Sequence, residues 1–92
     1  MELTVEFLGL ARQLAQTKEC RVTWDGPMSF RQILAYIAEQ FPALVGPVII
    51  PETFNLVSYY MLNLNGQRRI ADLDAPAADG QRLLLMFTEA GG

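Results

Sequence analysis

The sequence predicts an α+β domain of the β-grasp type, in which a mixed sheet of about five strands curls around one main helix. Three segments alternate apolar and polar residues with the two-residue period of half-buried strands. A fourth segment repeats apolar residues at helical spacing. The last regular segment is almost continuously apolar, which is typical of a central strand buried on both faces. We therefore expect one domain over residues 1–92, with a flexible tail from about residue 88.

The first two strands are predicted to pair as an antiparallel hairpin with a long loop. Residues 2–8 and 19–25 each alternate apolar and polar side chains, and residues 10–15 between them are expected to be a connector with two apolar anchors. The side chains predicted to point inward are Leu3, Val5, Phe7, Cys20, Val22 and Trp24.

The main helix is predicted to begin after Ser29 and to end near Phe41, where Pro42 stops it. Ser29 and Gln32 have the spacing of a capping box, in which each side chain bonds the other residue's backbone N–H. The apolar face of this helix is expected to comprise Phe30, Ile33, Leu34, Ile37 and Phe41.

Residues 43–58 have no clear period, and two interpretations stay open. Their length is typical of a flexible or partner-contacting loop. Alternatively, they form a packed insertion held by Val48, Ile50 and Leu56. Two more strands are predicted after this segment, at residues 59–65 and 67–71, and Asn65-Gly66 is predicted to form the tight turn between them.

The fifth strand, at residues 81–88, is expected to lie in the middle of the sheet, parallel to the first. The helix is then predicted to cover a sheet face that consists of Leu3, Val5, Phe7, Val22, Trp24, Leu62, Leu64, Leu83, Leu85 and Phe87. On the opposite face, Tyr59, Met61, Leu84 and Met86 are predicted to form an apolar docking surface for a partner. The alternatives are that these apolar side chains are scattered ones of no special role, or that residues 48–56 cover them.

Composition argues against several classes of function. The net charge is −3 and the only adjacent basic pair is Arg68-Arg69, which argues against a nucleic-acid partner. The chain has no histidine, so it lacks Ser–His and Cys–His nucleophile pairs, and we expect neither an independent enzyme nor a bound metal or cofactor. Asp72, Asp74 and Asp79 are interpreted as turn residues, and Cys20 as a core thiol.

The expected location is the cytoplasm, away from membranes. No apolar run approaches the roughly 20 residues of a membrane span. The start of the chain lacks the basic region of a signal peptide, and a single cysteine suits a reducing compartment.

The chain ends in Gly91-Gly92, directly behind the predicted central strand. The terminal carboxylate would then stand on a short, narrow and flexible segment, because glycine has no Cβ and also adopts positive φ angles. Residues 88–92 would span about 17 Å when extended, enough to cross the wall of a partner's pocket. The alternative is a frayed end without function.

At this point the chain resembles the MoaD/ThiS family of ubiquitin-like sulfur carriers. The resemblance rests on VEFLGLARQL at 5–14, on FRQIL and QFP within 30–42, on LNGQ at 64–67, on LDAP and ADGQ within 73–81, and on the final glycines. These motifs span nearly the whole chain in the family's order.

The resemblance implies a carrier that acts with two partners. An E1-like adenylyltransferase would use ATP to adenylate the carboxylate of Gly92, and sulfur would then replace AMP to give a thiocarboxylate. A molybdopterin-synthase-type large subunit, or another sulfur-acceptor enzyme, would receive the sulfur. Gly91, Ala90, Glu89 and Thr88 would be the tail residues that enter these partners. Two alternatives stay open: a ubiquitin-like modifier conjugated through Gly92, and an interaction module whose tail has no chemistry.

Overall fold

A computed structural model describes residues 1–88 of the chain. Within that range the chain forms five strands, two α-helices and one 3₁₀ turn. In chain order they are β1 (Glu2–Phe7), α1 (Leu10–Ala15), β2 (Glu19–Thr23), α2 (Phe30–Gln40), the 3₁₀ turn Pro42–Leu44, β3 (Tyr60–Leu64), β4 (Arg68–Arg69) and β5 (Arg82–Phe87). The strands are shorter than the sequence predicts, by one to three residues each.

The five strands form one mixed sheet in the order β2-β1-β5-β3-β4. The central strands β1 and β5 are parallel, with Val5 opposite Leu83, and all other neighbours are antiparallel. Helix α2 packs on one face of this sheet, so the predicted β-grasp fold and its central pair of strands are confirmed.

Helix α2 begins at the predicted capping box. The side chain of Ser29 accepts a hydrogen bond from the Gln32 N–H at 3.1 Å, and the Gln32 side chain accepts one from the Ser29 N–H at 2.8 Å. The helix buries Phe30, Ile33, Leu34 and Ile37 as predicted, and also Ala38. Just past its end, the half-buried ring of Phe41 meets Phe7 edge to face at 5.1 Å.

Residues 10–15 are a helix, where the sequence predicted a connector. The chain leaves β1 at Gly9, whose φ of 62° turns it sharply, and the carbonyl of Gly9 accepts hydrogen bonds from the N–H groups of Arg12 and Gln13. Gln16 ends the helix in the left-handed conformation. The helix has six residues and buries only Ala11, so the sequence shows no apolar periodicity from which it could be predicted.

Residues 43–58 are a packed insertion. Leu44, Val48 and Ile49 have no exposed surface, and short backbone bridges join Ile49 to Val45 and to Leu56. Ile50, which was predicted to hold the insertion, is 38% exposed, because the bridged backbone turns Ile49 inward and Ile50 outward. Leu56 is half-buried against the core.

Phe87 does not lie under α2, contrary to the prediction, and is 44% exposed. It is the last residue of β5, and there its ring packs on Gly9 and on Tyr60. The other nine residues assigned to the covered face are buried. Within residues 1–88, neither helix has the length and apolar character that crossing a bilayer requires.

Candidate functional site

The site predicted from the sequence centres on the carboxyl end of β5, from which the chain continues toward Gly92. Four of its predicted residues, Glu89, Ala90, Gly91 and Gly92, lie outside the described residues. Thr88 is half-buried, and its N–H donates a hydrogen bond to the carbonyl of Tyr59 at 3.0 Å. The ladder between β3 and β5 therefore holds the chain as far as residue 88.

Three aromatic rings surround this point. The Phe87 and Tyr60 rings lie 4.6 Å apart, and the ring of Tyr59 stacks on Phe87 at 6.3 Å. Tyr59 is 47% exposed, so two large aromatic surfaces face solvent beside Thr88. The ring of Tyr60 is buried beneath them. Such an exposed aromatic pair is the kind of surface that contributes strongly to protein interfaces.

Gly9 allows the Phe87 ring to lie where it does. A Cβ at position 9 would overlap the edge of that ring, and the positive φ of Gly9 independently disfavours any other residue. The turn after β1 and the end of β5 are thus in direct contact. The sequence pattern placed Phe87 under the helix and did not reveal its contact with Gly9, since this contact depends on the parallel pairing of β1 with β5.

The hydroxyl of Tyr60 fixes the same turn from below. It donates a hydrogen bond to the carbonyl of Leu8 at 2.7 Å and accepts one from the N–H of Ala11 at 2.8 Å. Burial raises the pKa of Tyr60, although the hydrogen bond from Ala11 opposes this effect. The phenol is therefore neutral near pH 7 and can both donate and accept.

Tyr59 joins the packed insertion to the end of the sheet. Its hydroxyl donates a hydrogen bond to the carbonyl of Pro47 at 2.8 Å. The alternation predicted that Tyr59 lies on the outer face with Met61. Its ring instead stacks on Phe87, at the end of the sheet. It therefore extends the predicted docking surface toward the tail.

The outer sheet face brings together the other three predicted docking residues. Met61 lies opposite Met86, and Leu84 is the neighbouring residue of β5 on the same face. All three are half-buried, and insertion residues 50 and 55–58 flank Met61 at the sheet edge without making these side chains fully buried. The face thus keeps an accessible apolar surface near the end of β5. Methionine suits such a surface, because its flexible side chain adapts to more than one partner.

Charged side chains border this apolar surface. Arg82 makes ion pairs with Glu19 at 3.0 Å and with Glu6 at 3.4 Å across the three strands on one side. These carboxylates raise the pKa of Arg82, which stays charged. The sequence pattern places Arg82, Glu19 and Glu6 on the outer face, but only the register of the strands shows that their side chains form ion pairs.

The remaining candidates have structural roles. Cys20 is half-buried against the core, and burial raises the pKa of its thiol, which disfavours the reactive thiolate. Asp72 accepts a hydrogen bond from the Asp74 N–H at 2.9 Å, and Asp79 accepts one from the Glu2 N–H at 2.7 Å. These are turn and loop contacts, as interpreted from the sequence. Within residues 1–88, no group of three acidic or cysteine side chains is placed to hold a metal ion.

Solved structures of small ubiquitin-like proteins share this fold. SAMP1 from Haloferax volcanii matches with a TM-score of 0.81 at 23% identity, over all of both chains. A putative molybdopterin converting factor subunit 1 from Pyrococcus furiosus matches with a TM-score of 0.76 at 17% identity, over 95% of this chain and 97% of that one. A chain from the complex of subunits 1 and 2 of the molybdopterin-converting factor of Helicobacter pylori matches with a TM-score of 0.60 at 18% identity, over all of both chains.

At these identities the likeness shows the fold alone. The matching structures include small archaeal modifier proteins and a putative molybdopterin converting factor subunit, so the fold agrees with the one that the MoaD/ThiS resemblance implies. The sequence matches no protein-family model, and no curated protein matches it significantly.

Proposed function

We propose that this chain is a sulfur carrier that acts in molybdopterin biosynthesis, in the cytoplasm, through a thiocarboxylate on Gly92. The observation that carries the proposal is the arrangement around Thr88. The ladder of the central strand continues to that residue, beside exposed aromatic rings and a half-buried apolar sheet face. A sequence that ends in two glycines follows directly.

The proposed chemistry takes place in the partners' active sites. An oxygen of the Gly92 carboxylate attacks the α-phosphorus of ATP, and pyrophosphate leaves. Hydrosulfide (HS⁻) supplied by a partner then attacks the acyl carbon; the C–S bond forms as the C–O bond to AMP breaks, and loss of the S–H proton leaves the thiocarboxylate. ATP is used by the E1-like enzyme, and we assign no cofactor to the carrier itself. Two glycines suit this task because a slender chain can enter a closed site.

The outer face would hold the body of the carrier while the tail reacts. Met61, Leu84 and Met86 supply the apolar contact, and Tyr59 extends it to the base of the tail. The Helicobacter complex of converting-factor subunits supports a second protein as the partner in this arrangement. The partner that we propose is a large subunit of the molybdopterin-synthase type.

Intact mass spectrometry tests the proposal directly. The chain ending at Gly92 is incubated with ATP, an E1-like adenylyltransferase and a sulfur donor. We expect the mass gain of one oxygen replaced by sulfur, and no gain for a variant that lacks Gly92. An unchanged mass, with the enzyme shown to be active on its own carrier, would contradict the sulfur-carrier function.

A second candidate is a protein modifier conjugated through Gly92. The specific observation in its favour is that matching structures from Haloferax volcanii and Methanosarcina acetivorans are small archaeal modifier proteins. Both candidates need the same adenylate, but the modifier forms an isopeptide bond with a lysine amine. Tryptic peptide mapping of cellular proteins distinguishes them, because a conjugated lysine would carry residues 83–92 of this chain, which follow its last basic residue, Arg82. If every cellular activity of the chain survives the removal of Gly92, both tail functions are wrong and the chain is an interaction module.

A further inference from the structure

Strand β2 forms one edge of the sheet, and its outer side has no neighbouring strand. Its one neighbour among the strands of residues 1–88 is β1. The carbonyl of Lys18 accepts a hydrogen bond from the Phe7 N–H, and in an antiparallel pair every second residue then bonds the neighbouring strand. The backbone groups of Glu19, Arg21 and Thr23 therefore point away from β1.

This edge is open to solvent, because Glu19, Arg21 and Thr23 are all exposed. Among residues 1–88, no backbone group bonds their outward N–H and carbonyl groups. Two side chains make long contacts there. The Thr17 hydroxyl lies 3.4 Å from the Glu19 carbonyl, and the Cys20 thiol lies 3.5 Å from the Arg21 carbonyl. Each carbonyl keeps a second acceptor position, so the edge remains a template for another extended chain.

The order of charges along this edge favours a second copy of the same chain. Glu19 and Arg21 lie two residues apart on the outer face and have opposite charges. When two β2 strands pair antiparallel, Glu19 of each copy can lie opposite Arg21 of the other, which gives two complementary pairs on one face. A register shifted by two residues would set Arg21 opposite Arg21, and like charges disfavour it. The charges therefore select one register.

Both charged groups are available for this contact. Arg21 has no ion pair with any of residues 1–88. Glu19 contacts Arg82 through its Oε1 atom at 3.0 Å, and a carboxylate can accept further hydrogen bonds at its second oxygen. Glu19 can thus keep its contact within the sheet while it receives a guanidinium group from a second copy.

We propose that two copies of this chain pair antiparallel through their β2 edges, with Glu19 of each copy opposite Arg21 of the other. The two five-stranded sheets then form one continuous sheet. The β5 strands of the two copies run in opposite directions, so the two tails leave at opposite ends. Because β1 separates β2 from β5, the pairing leaves Thr88 uncovered, and the inference stands apart from the proposed tail chemistry.

Sedimentation equilibrium at chain concentrations up to about millimolar measures the pairing, because so small an interface belongs to the weak class. We expect a reversible equilibrium between monomer and dimer. In the isotope-labelled chain, the amides of Glu19 and Arg21 should shift as the concentration rises and should exchange more slowly with solvent. The amides of β4, at the other edge of the sheet, should not change.

Cys20, the one cysteine of the chain, reports the register. In the proposed pairing the two copies of Cys20 lie directly opposite at a non-hydrogen-bonded position, where Cα atoms are about 4.5 Å apart. That separation is within the range of a disulfide. Diamide, which oxidises two thiols to a disulfide, should therefore link the dimer covalently. The register with Arg21 opposite Arg21 would set Cys20 opposite Val22 and give no link.

Charge variants supply the matched comparison. Arg21→Glu sets carboxylates opposite each other and Glu19→Arg sets guanidinium groups opposite each other, so each should weaken self-association about tenfold. An equal mixture of the two variants restores opposite charges and should associate as the parent chain does. Arg69→Glu changes the net charge as Arg21→Glu does, but it lies on β4, so dimerisation should stay within about twofold of the parent. Thermal unfolding checks that each variant is folded.

Four results would overturn the proposal. They are a chain that stays monomeric throughout the concentration range, equal losses for Arg21→Glu and Arg69→Glu, a variant mixture that does not recover association, and a dimer that diamide does not link. The mass measurement on Gly92 is independent of all four, so failure of one proposal is not mistaken for failure of the other.

Discussion

The Tyr60 hydroxyl satisfies two backbone groups in the turn between β1 and α1, those of Leu8 and Ala11. We expect Tyr60→Phe to lower the free energy of unfolding by about 1–3 kcal/mol, because it leaves a buried donor and acceptor unpaired. Urea denaturation measures the change. Tyr36→Phe is the matched control, since the Tyr36 hydroxyl makes no hydrogen bond within residues 1–88, and equal losses for both variants would contradict the assignment.

Asp74 makes a second residue-scale contact that pH can test. Its carboxylate accepts a hydrogen bond from the Nε of Arg31 at 2.7 Å, and this bond holds the pKa of Asp74 below its ordinary value. A lowered pKa in the folded chain gives stability that is present above the ordinary aspartate pKa of about 3.9 and is lost as the pH falls through the folded pKa.

Asp74→Asn should therefore be less stable than the parent chain at pH 7, by a small amount because the pair is exposed. The difference should shrink as the pH falls below about 4. Denaturation midpoints across a pH series give this difference. Asp25→Asn serves as the control, since Asp25 has no ion pair within residues 1–88. A difference that stays constant down to low pH would contradict the linkage.

At the scale of elements, the packed insertion depends on which isoleucine points inward. Ile49 is fully buried and its neighbour Ile50 is exposed. Ile49→Ala should cost about 2–5 kcal/mol of stability through the lost apolar contact and the cavity. Ile50→Ala should cost about 0.5 kcal/mol or less. Urea denaturation of the two variants compares adjacent positions with identical chemistry, and a larger loss at Ile50 would reverse our interpretation of the insertion.

The elements that the sequence predicted are those with a local signal. Helix α2 has a capping box and a regular apolar face, β1, β2 and β3 alternate, and β5 is a continuous apolar run, so the existence of these elements follows from the pattern. Helix α1 lacked such a signal, because it depends on the turn at Gly9. In the insertion, the inward choice of Ile49 depends on bridges to residues seven and four positions away.

The candidate site divides in the same way. Alternation placed Met61, Leu84 and Met86 on one outer face, because a strand has period two. It misplaced Tyr59, whose ring lies beyond the end of β3 and stacks on Phe87, and it wrongly predicted that Phe87, the last residue of β5, is covered. The ion pairs of Arg82 depend on register between three strands, and a single sequence carries no direct record of register.

At the scale of the whole molecule, stability depends on the centre of the sheet. Leu85 is completely buried in β5, where it lies opposite Phe7 and Leu62. We expect Leu85→Asp to unfold the domain, because an unpaired buried charge costs several kcal/mol against a total of about 5–15. Leu84→Asp places the same charge on the half-buried outer face and should leave a cooperative fold. Circular dichroism melting curves decide, and a normal transition for Leu85→Asp would contradict the central placement of β5.

The parallel pairing of β1 with β5 also has a consequence for how the protein is made. The two central strands come from opposite ends of the described chain, so the sheet has no centre until β5 is available. Contacts so distant in sequence slow folding, because a long loop must close before they form. During synthesis the earlier strands can form only the β1–β2 hairpin and the β3–β4 turn. We therefore expect the sheet to assemble only after the ribosome has released β5, and until then the edge of β1 is open to chaperones.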